Sequence, residues 1–450
     1  MTDWIGETFT SEAGWTHLTR LVDIGNRMAG SEGERRAAEA TRDALAAAGA
    51  RNPRLEPFDI QGWARGSSAV HAAGESQDSI ALPRSPSGSV TGEFVDLGYG
   101  LPEDFERESR SDSDGSSGPS PRDGDLEGAV VMAASNVPDW HDRFLHRREK
   151  YYHAVEAGAA AFVFRNHVEG CLAPTGSVGT EDAPVGEIPA VGVSKEVGSR
   201  LARRFEGEAV TVEVEADIGD ATSRNVHAEL GPRTDDVVLL TSHVDAHDIA
   251  EGAGDNGAGT ALVVEVARAL AAREDDLDTR VECVAYGAEE VGLVGSAHDA
   301  DLRDHDRVKA VVNNDGVVRG RTLRCYTHGF DALEAAAETV GDRFDHPIET
   351  TPELGPHSDH WPYVQRGVPG YHVMGKTGSA GRGWGHTRAD TLDKLESRTL
   401  REQAVLVADL VVELADAGTE VDHRDPAAVA DQLEAEDLAE GMKVTGDWPY

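Results

Sequence analysis

Residues 235–345 alternate short, continuous apolar runs with longer segments in which apolar residues recur every three or four positions. The runs in "DDVVLLTSHVD", "TRVECVAYGAEE" and "RVKAVVNNDG" have the length of buried strands, whereas "GAGTALVVEVARALAARE" and "DALEAAAETVGDRF" have helical periodicity. Strands without a polar face are typical of a parallel sheet that helices cover on both faces. The pattern therefore predicts an α/β fold with a doubly wound, mostly parallel sheet.

A helix is also predicted near the start of the chain, in "SEGERRAAEATRDALAAAGA". Ser31 is the predicted N-cap, because Glu34 stands three residues later as in a capping box. The helix is expected to end near Gly49 and to lead into the strand "RLEPFDI".

The pattern changes from about residue 85. The stretch "ESRSDSDGSSGPSPRDGD", residues 108–125, is too polar to bury an apolar face and predicts a surface loop. Short apolar runs then follow, "GAVVMAAS", "AAFVFRN" and "IPAVGVS", with one helix at "REKYYHAVEAGA". We predict a β-rich module inserted at 85–216, a discontinuous main domain at 1–84 and 217–417, and an acidic C-terminal tail, mobile or with a short helix, at 418–450.

The charge of the chain restricts its partners and its solvent. A formal net charge of −40 results from 82 Asp and Glu residues against 42 Lys and Arg residues. Nucleic acids and anionic membranes bind basic surfaces, so neither is an expected partner. At about 1 M salt the Debye length falls to roughly 3 Å and screens the self-repulsion of such a chain. A halophilic source is therefore expected.

The N-terminal segment, "MTDWIGETFTSEAGW", has neither the basic nor the apolar region of a secretory signal. No later run approaches the roughly 18 apolar residues that a membrane span needs. A soluble, cytoplasmic protein is expected, with no prediction of its oligomeric state. Its three cysteines, Cys171, Cys283 and Cys325, are odd in number and widely spaced, so no disulfide framework is predicted.

Acidic residues and a histidine follow three of the predicted strands, where the carboxyl ends of parallel strands meet at one edge of a sheet. Without cations, so many neighbouring carboxylates would repel one another and some would stay protonated. Oxygen and nitrogen ligands without cysteine favour a pair of zinc ions, with Co²⁺ or Mn²⁺ as alternatives. The residues concerned are His243, Asp245, Asp255, Glu289, Glu290 and Asp315.

The spacing of these residues suggests which of them bind metal and which act on water. Residues i and i+2 of a strand face the same side, so His243 can bind a metal ion while Asp245 orients its ring. Asp255 lies in a glycine-flanked loop, "GAGDNGAG", and is suited to bridge two ions. Adjacent acids in a turn point in different directions, which lets Glu290 bind metal and Glu289 act on water, or the reverse.

A further imidazole stands downstream, in "GWGHTRADTLDKL". His386 follows the glycine-rich stretch "GKTGSAGRGWG", which predicts a mobile rim that delivers this side chain to the second ion.

These motifs, in their order and spacing, resemble the two-zinc exopeptidases of peptidase family M28. The stretches "HVDAHDIAEGAGDNGAG" and "HTRADTLDKL" are most similar to its carboxypeptidase Q-type branch, and "DIGNRMAGSEGERRAAEA" resembles the family's N-terminal segment. The inserted module, with "AVEAGAAAFVFRN" and "IPAVGVS", is similar to a protease-associated (PA) domain.

The resemblance implies a zinc metallopeptidase whose substrate is a peptide. It implies that His243 and Glu290 are terminal ligands of separate ions, that Asp315 and His386 complete the two shells, and that Asp255 bridges them. It also implies that Asp245 orients His243 and that Glu289 is the general base and then the general acid.

Two features of the predicted site stay open. His357, Tyr363, Tyr371 and His372 are all candidates to stabilise the oxyanion, with His357 preferred, whereas Asp359 is expected to line the site. An aminopeptidase needs an acid for the substrate amine, with Glu251 and Asp359 as candidates. A carboxypeptidase or dipeptidase needs a cation, and the candidates are Arg319, Lys376, Arg382 and Arg388.

An aminopeptidase is the leading hypothesis, with a carboxypeptidase or dipeptidase of the carboxypeptidase Q type as its rival. A single-zinc transferase resembling glutaminyl cyclase and a non-enzymatic scaffold are the remaining alternatives, and both are disfavoured because the ligand positions of both ions are filled.

Overall fold

The structure, a computed structural model, describes residues 2–106, 126–141, 143–180, 183–378 and 383–450. The predicted loop at 108–125 lies outside the described residues, as does part of the glycine-rich stretch before His386. The chain forms two compact units: the first contains 1–62, 219–436 and 449–450, and the second contains 63–218 and 437–448.

The helices in the described residues are α1 (Asp3–Thr10), α2 (Ala13–Ile24), α3 (Glu32–Ala47), α4 (Pro102–Phe105), α5 (Arg147–Glu156), α6 (Lys195–Phe205), α7 (Ala258–Ala271), α8 (Val294–Leu302), α9 (Asp331–Phe344), α10 (Trp361–Val364), α11 (Ser397–Ala415), α12 (Pro426–Ala435) and α13 (Ala439–Thr445). The strands are β1 (Arg51–Ala72), β2 (Glu75–Gln77), β3 (Ile80–Ala81), β4 (Gly88–Asp96), β5 (Val130–Ala134), β6 (Ala161–Arg165), β7 (Ala190–Val193), β8 (Ala209–Leu230), β9 (Val237–His243), β10 (Arg280–Tyr286), β11 (Val308–Asn314), β12 (Leu323–Tyr326), β13 (Ile348–Thr351) and β14 (Gly370–Gly375).

The sheet of the first unit has the order β13-β12-β14-β11-β9-β10-β8, in which β8 contributes its C-terminal half. Strand β9 pairs in parallel with β10 and β11, β11 with β14, and β12 with β13. The pairs β8–β10 and β12–β14 are antiparallel. The predicted α/β fold with a mostly parallel sheet is therefore confirmed.

Helices cover both faces of this sheet, which explains why its central strand has no polar face. Leu239 of β9 packs in one core cluster with Ala300 of α8 and Tyr363 of α10. Helices α7 and α11 pack against each other and against β9. Because successive strand residues face opposite sides, the wholly buried Val238 and Leu240 point away from the Leu239 cluster.

The predicted N-terminal helix is α3, and its cap is as expected. The Ser31 side chain accepts a hydrogen bond from the Glu34 backbone N–H at 3.1 Å. The side chain of Glu34 bonds back to the N–H of Gly30 at 2.8 Å rather than to the cap residue itself.

The second unit contains a parallel group of strands, β4-β5-β6-β7, with β3 antiparallel to β7 at one edge and the N-terminal half of β8 antiparallel to β4 at the other. Its core includes Val131, Tyr151 and Phe162. The unit begins at residue 63, earlier than the predicted module boundary at 85, because the second half of β1 belongs to it.

The segment predicted as an acidic tail, 418–450, contains α12 and α13. Asp425 caps α12 by accepting a hydrogen bond from the Ala427 N–H, and Pro426 occupies the first turn. Helix α12 belongs to the first unit and α13 to the second.

Within the described residues, no helix combines the length and the apolar character that crossing a bilayer requires.

Candidate metal centre

The polar residues predicted to converge do so at the carboxyl ends of three adjacent strands. His243 ends β9 and lies in register with Tyr286 at the end of β10. Glu289 and Glu290 follow Tyr286 in the next turn, and Asp315 directly follows β11. Parallel pairing of β10 and β11 with β9 brings these positions to one edge of the sheet.

One half of the centre surrounds His243, whose side chain is fully buried. Its Nε2 lies 3.5 Å from Asp255 Oδ1, 3.8 Å from Asp315 Oδ1 and 3.9 Å from Glu289 Oε2. This nitrogen makes no hydrogen bond with the described residues. A buried imidazole nitrogen without a hydrogen bond, facing three carboxylates, has the surroundings of a metal ligand.

The other half surrounds His386 and Glu290. His386 Nε2 lies 3.2 Å from Asp255 Oδ2 and 3.4 Å from Glu290 Oε2. His247 Nε2 lies 2.9 Å from the same glutamate oxygen. The ligand atoms of His247, Glu290 and His386 all lie within 4.8 Å of one another.

The two halves share Asp255, whose oxygens point in different directions. Oδ1 faces His243 and Oδ2 faces His386. Two atoms bound tetrahedrally to one zinc ion at about 2.0–2.1 Å are about 3.4 Å apart. The distances from Asp255 to the two imidazoles, 3.5 and 3.2 Å, match that spacing on both sides. The residues present therefore fit a pair of ions that share one carboxylate.

Asp245 holds the turn that carries the two glutamates. Its Oδ1 accepts a hydrogen bond from the Glu289 N–H at 3.1 Å, and its Oδ2 accepts one from the Glu290 N–H at 3.2 Å. Its Oδ1 also lies 3.4 Å from His243 Nδ1. Asp245 thus connects β9 to the turn after β10 and positions both halves of the centre.

The loop of Asp255 is held in a similar way. Asn256 donates a hydrogen bond from Nδ2 to the Asn314 carbonyl at 2.9 Å and accepts one from the Gly259 N–H at 3.1 Å. The hydrogen bond to the Asn314 carbonyl connects this loop to the end of β11, directly before Asp315. The bridging carboxylate is therefore tied to the strand that carries its neighbour.

Burial and mutual repulsion make several of these carboxyl groups weak acids. Burial, together with the charge of Asp255, raises the pKa of Glu290 to about 7. Burial raises the pKa of Glu289 well above its usual range, and the neighbouring carboxylates of Glu290 and Asp359 add to the effect. Divalent cations favour the ionised form of such groups, so the electrostatics also fit a metal centre.

The pKa values of His243 and Asp315 are shifted in the direction opposite to the effect of burial alone. Burial would lower the pKa of His243, but Glu289, Asp245 and Asp255 hold it well above its usual range. Burial would raise the pKa of Asp315, but its contact with His243 holds it well below its usual range. The surrounding carboxylates thus stabilise a positive charge on the His243 ring.

Arg319 places a fixed cation on one side of the bridging carboxylate. Its Nη2 lies 3.4 Å from Asp255 Oδ2, is buried, and makes no hydrogen bond with the described residues. Gln403 of α11 fixes the turn on both sides of it, accepting a hydrogen bond from the Val318 N–H and donating one to the Gly320 carbonyl. In the described part of the chain, Arg319 forms an ion pair with Asp255 through Oδ2 and not through Oδ1.

The weaker site candidates lie in different surroundings. Asp359 is fully buried, neither of its carboxylate oxygens has a hydrogen-bond partner among the described residues, and burial raises its pKa to about 8. The Tyr363 hydroxyl donates a hydrogen bond to Asp299 Oδ2 at 2.7 Å and contacts the hydroxyl of Tyr286. His357 is exposed on the loop before α10. The structure therefore brings Asp359 toward Glu289 and engages the Tyr363 hydroxyl elsewhere.

Sequence reasoning left two neighbours of the centre without a role. His247 has a signal in the sequence, since it stands four residues after His243 in the same acidic motif. Ser358 donates a hydrogen bond to Asp315 Oδ2 at 2.8 Å and accepts one from Asn313 Nδ2 at 2.8 Å. Ser358 lies in the stretch "HSDH", but its partner Asp315 is 43 positions away and no local pattern indicates the pair.

Comparisons with known proteins find similarity to the family and to the inserted domain that the motifs resemble. The model of peptidase family M28 matches residues 225–411, and the model of the PA domain matches residues 90–201. Aminopeptidase YwaD of Bacillus subtilis is 30% identical over 283 residues, which cover 59% of this chain and 59% of that protein. Carboxypeptidase Q of Bos taurus is 27% identical over 381 residues, which cover 80% of this chain and 76% of that protein. The chain thus spans less than two thirds of YwaD.

Solved structures share the fold over almost the whole chain. An M28 peptidase precursor from Shewanella amazonensis superposes with a TM-score of 0.74 at 22% identity, covering 93% of this chain and 97% of that one. A zinc aminopeptidase from Bacillus subtilis superposes with a TM-score of 0.69 at 22% identity, covering 92% and 98%.

Proposed function

We propose that the chain, which matches the model of peptidase family M28 over residues 225–411 and the model of the PA domain over residues 90–201, is a metal-dependent exopeptidase, specifically an aminopeptidase. The single observation that carries the proposal is the bridging position of Asp255, whose two oxygens face His243 and His386 at 3.5 and 3.2 Å. Two ions with a shared carboxylate form a centre suited to hydrolysis.

In this proposal two zinc ions, with Co²⁺ or Mn²⁺ as alternatives, are held by five residues. The residues are His243, Asp255, Glu290, Asp315 and His386. When bound, such ions polarise the scissile carbonyl and lower the pKa of water. Asp245 keeps the turn of Glu289 and Glu290 in place through its two backbone hydrogen bonds.

Glu289 is the proposed proton carrier. Its Oε2 lies 3.9 Å from His243 Nε2, beside the first half of the centre, and its side chain is 11% exposed. From this position the carboxylate accepts a proton from the attacking water and returns it to the leaving amine. The turn that carries it is buried, so bulk water is excluded from most of its surroundings.

A covalent mechanism has little support among the nearby nucleophiles. Ser242 is buried and its hydroxyl contacts the Thr260 hydroxyl at 3.2 Å, and within the described part of the chain no imidazole is hydrogen-bonded to it. Burial raises the pKa of the Cys283 thiol to about 12, so the thiolate is not available near neutral pH. Attack by water is the step that this arrangement favours.

We propose that the enzyme recognises the free N-terminus of its substrate, as an aminopeptidase does. Asp359, buried with a carboxylate that lacks hydrogen bonds among the described residues, is the proposed partner of the substrate amine. Glu251, the other acidic candidate, already accepts a hydrogen bond from the Leu392 N–H at 2.6 Å. An amine bound to Asp359 would relieve the cost of burying that carboxylate.

A carboxypeptidase or dipeptidase is the second candidate, and the long alignment with carboxypeptidase Q favours it. Arg319 is the cation beside the centre that would serve a substrate carboxylate in that case. The oxyanion stabiliser remains a prediction: His357 is preferred, and Tyr363, Tyr371 and His372 are the other residues proposed from the sequence.

The deciding experiment is amino-acid release from one tripeptide in two blocked forms, N-acetylated and C-amidated, with the protein in molar potassium chloride and zinc. Cleavage of the C-amidated form alone supports the aminopeptidase. Cleavage of the N-acetylated form alone supports the carboxypeptidase. If neither blocked form nor the unblocked tripeptide is cleaved, the result contradicts a tripeptide exopeptidase. In that case a count of ions per chain distinguishes a one-ion cyclase-like transferase from a metal-free scaffold.

We also propose a cytoplasmic, salt-adapted protein that acts on peptides rather than on nucleic acids or membranes. The support for salt adaptation and against polyanionic partners is the formal net charge of −40, since 82 acidic residues outnumber 42 basic ones.

A further inference from the structure

His247 is buried at the second half of the centre, although the five ligands proposed above do not include it. Its side chain is 5% exposed, and its Nε2 lies 2.9 Å from Glu290 Oε2. Its ring meets the ring of His386 edge-on, with the centroids 4.7 Å apart. Among the described residues, His247, Glu290 and His386 form one of the groups whose ligand atoms can share a single ion.

The loop that carries His247 is fixed by Arg27, so its position is not that of a free surface side chain. The Arg27 guanidinium is buried and donates hydrogen bonds to the carbonyls of Val244, Glu251 and Gly252 at 3.2, 2.7 and 2.9 Å. The Arg27 carbonyl accepts a hydrogen bond from the Ala246 N–H at 3.1 Å. The loop therefore wraps around one side chain and presents His247 to Glu290.

We propose that His247 is a direct ligand of the ion on the Glu290 side, through Nε2. The inference rests on the proposed function, since it assumes the two-ion centre. With His247 included, that ion would have four protein donors, from His247, Glu290, His386 and Asp255 Oδ2. The ion on the other side would have three, from His243, Asp315 and Asp255 Oδ1, with Glu289 beside them kept for proton transfer.

The alternative for His247 is a simple ion pair with Glu290, and the surroundings disfavour it once an ion is present. An imidazolium 2.9 Å from Glu290 Oε2 would repel a divalent ion bound to that same oxygen. A neutral imidazole has one nitrogen with a free electron pair, and this is the form in which histidine binds metals. At 2.9 Å the nitrogen is nearer to the oxygen than the roughly 3.4 Å between two tetrahedral ligands of one zinc ion, so binding would require the two side chains to separate by about 0.5 Å.

Arg319 supplies a reason why the Glu290 side needs another donor. Its guanidinium lies 3.4 Å from Asp255 Oδ2 and partly neutralises the negative charge of that oxygen. A neutral imidazole adds a donor there without adding another negative charge to the cluster.

The two ions consequently have different tasks. A site with four protein ligands is closed, which is typical of structural zinc, whereas a site with three keeps an open position for water or substrate. The open side is the one beside Glu289, the proposed proton carrier. The Glu290-side ion is then the tighter of the two and acts mainly to hold Asp255 and the loop of His386 in place.

The test is stepwise zinc binding by the full chain in molar potassium chloride, measured by competition with a chromophoric chelator. The variants are His247→Ala, which removes the ligand, and His247→Gln, which keeps an N–H donor but is a poor ligand. His71→Ala is the matched control, because His71 forms a surface pair with Glu213 at 3.4 Å in the second unit. Cobalt-substituted protein provides a second readout, since its visible absorption reports the ligands of each ion.

For wild type and His71→Ala we expect two ions of unequal affinity. In both His247 variants the tighter affinity should fall by more than the roughly 10–100-fold that loss of an outer partner costs, with the weaker one unchanged and the cobalt spectrum altered. Retained affinity in His247→Gln but not in His247→Ala would show a hydrogen-bonding role and overturn the proposal, as would two unchanged ions in His247→Ala. A wild-type chain that binds no ion would instead contradict the proposed metal centre itself.

Discussion

Asp390 Oδ2 accepts a hydrogen bond from the backbone N–H of Asp255 at 3.0 Å, and its Oδ1 accepts one from Gly254 at 2.8 Å. A side chain from the segment after His386 thereby fixes the loop of the bridging carboxylate. Burial raises the pKa of Asp390 to about 6. The two oxygens of Asp255 reach separate imidazoles only while this loop keeps its conformation.

Replacing Asp390 should therefore weaken metal binding without removing a ligand. In Asp390→Asn one of the two acceptors becomes an N–H₂ group facing a backbone N–H, so we expect about 10–100-fold weaker binding of zinc. Metal content after dialysis against graded chelator measures the effect. Asp393→Asn, an exposed residue of the same segment, is the control. Equal metal retention in both variants would contradict the role of Asp390.

Glu289→Gln should keep both ions and lose turnover. The amide preserves the size of the side chain but cannot accept a proton, so kcat should fall by about 10²- to 10⁴-fold with zinc content unchanged. The measurement is the single-turnover rate with a tripeptide, together with the zinc content of the same samples by elemental analysis. The exposed Glu353→Gln is the control variant. Near-normal turnover in Glu289→Gln would rule out its assignment as the proton carrier.

A buried histidine away from the centre should make the stability of the first unit depend on pH. His227 Nδ1 lies 3.0 Å from Glu282 Oε1, and its Nε2 lies 3.1 Å from Glu56 Oε2. Burial would lower the pKa of His227, but hydrogen bonds to Glu282 and Glu56 raise it above its usual value. Arg54 and Arg303 also contact Glu282, and Asp299 contacts Arg303.

The direction of the effect follows from the raised pKa. The folded state holds the proton of His227 more tightly than the unfolded state, so the stabilisation is complete below the unfolded pKa of about 6.5 and is lost as pH rises through the folded value. Urea unfolding between mild acid and mild alkali should show falling stability in the wild type. His227→Gln should lose that part of the slope, and an unchanged slope would contradict the assignment.

Salt should stabilise the protein strongly. Between about 0.1 and 1 M salt the Debye length falls from about 10 to about 3 Å, which screens repulsion among the 82 acidic residues. The same salt weakens exposed ion pairs, but each of these contributes only about 0–1 kcal/mol. We expect the melting temperature to rise more with potassium chloride than with sucrose of equal osmolality, because sucrose stabilises by exclusion from the surface and does not screen charge. A melting temperature independent of salt would contradict the halophilic interpretation.

The parts of the fold that depend on local pattern were predictable. Ser31 caps α3, and the apolar runs before His243 and Asp315 form buried strands, because strand and helix periods are recorded in consecutive residues. Parallel strands end at one edge of a sheet, so the convergence of His243, Glu290 and Asp315 also followed from the pattern. His386 has no periodic signal, so its assignment depended on the glycine-rich stretch before it and on the family resemblance.

The sequence by itself thus determined the sheet, its polar edge and the type of residue placed there. Only the tertiary structure decided which further side chains meet that edge. His247 reaches Glu290 because its loop wraps around Arg27, which hydrogen-bonds Val244 from 217 positions away. The Tyr363 hydroxyl turns to Asp299, and the segment predicted as a tail folds into α12 and α13. Loop paths and side-chain partners of this kind depend on contacts between distant segments, and no local pattern of residues records them.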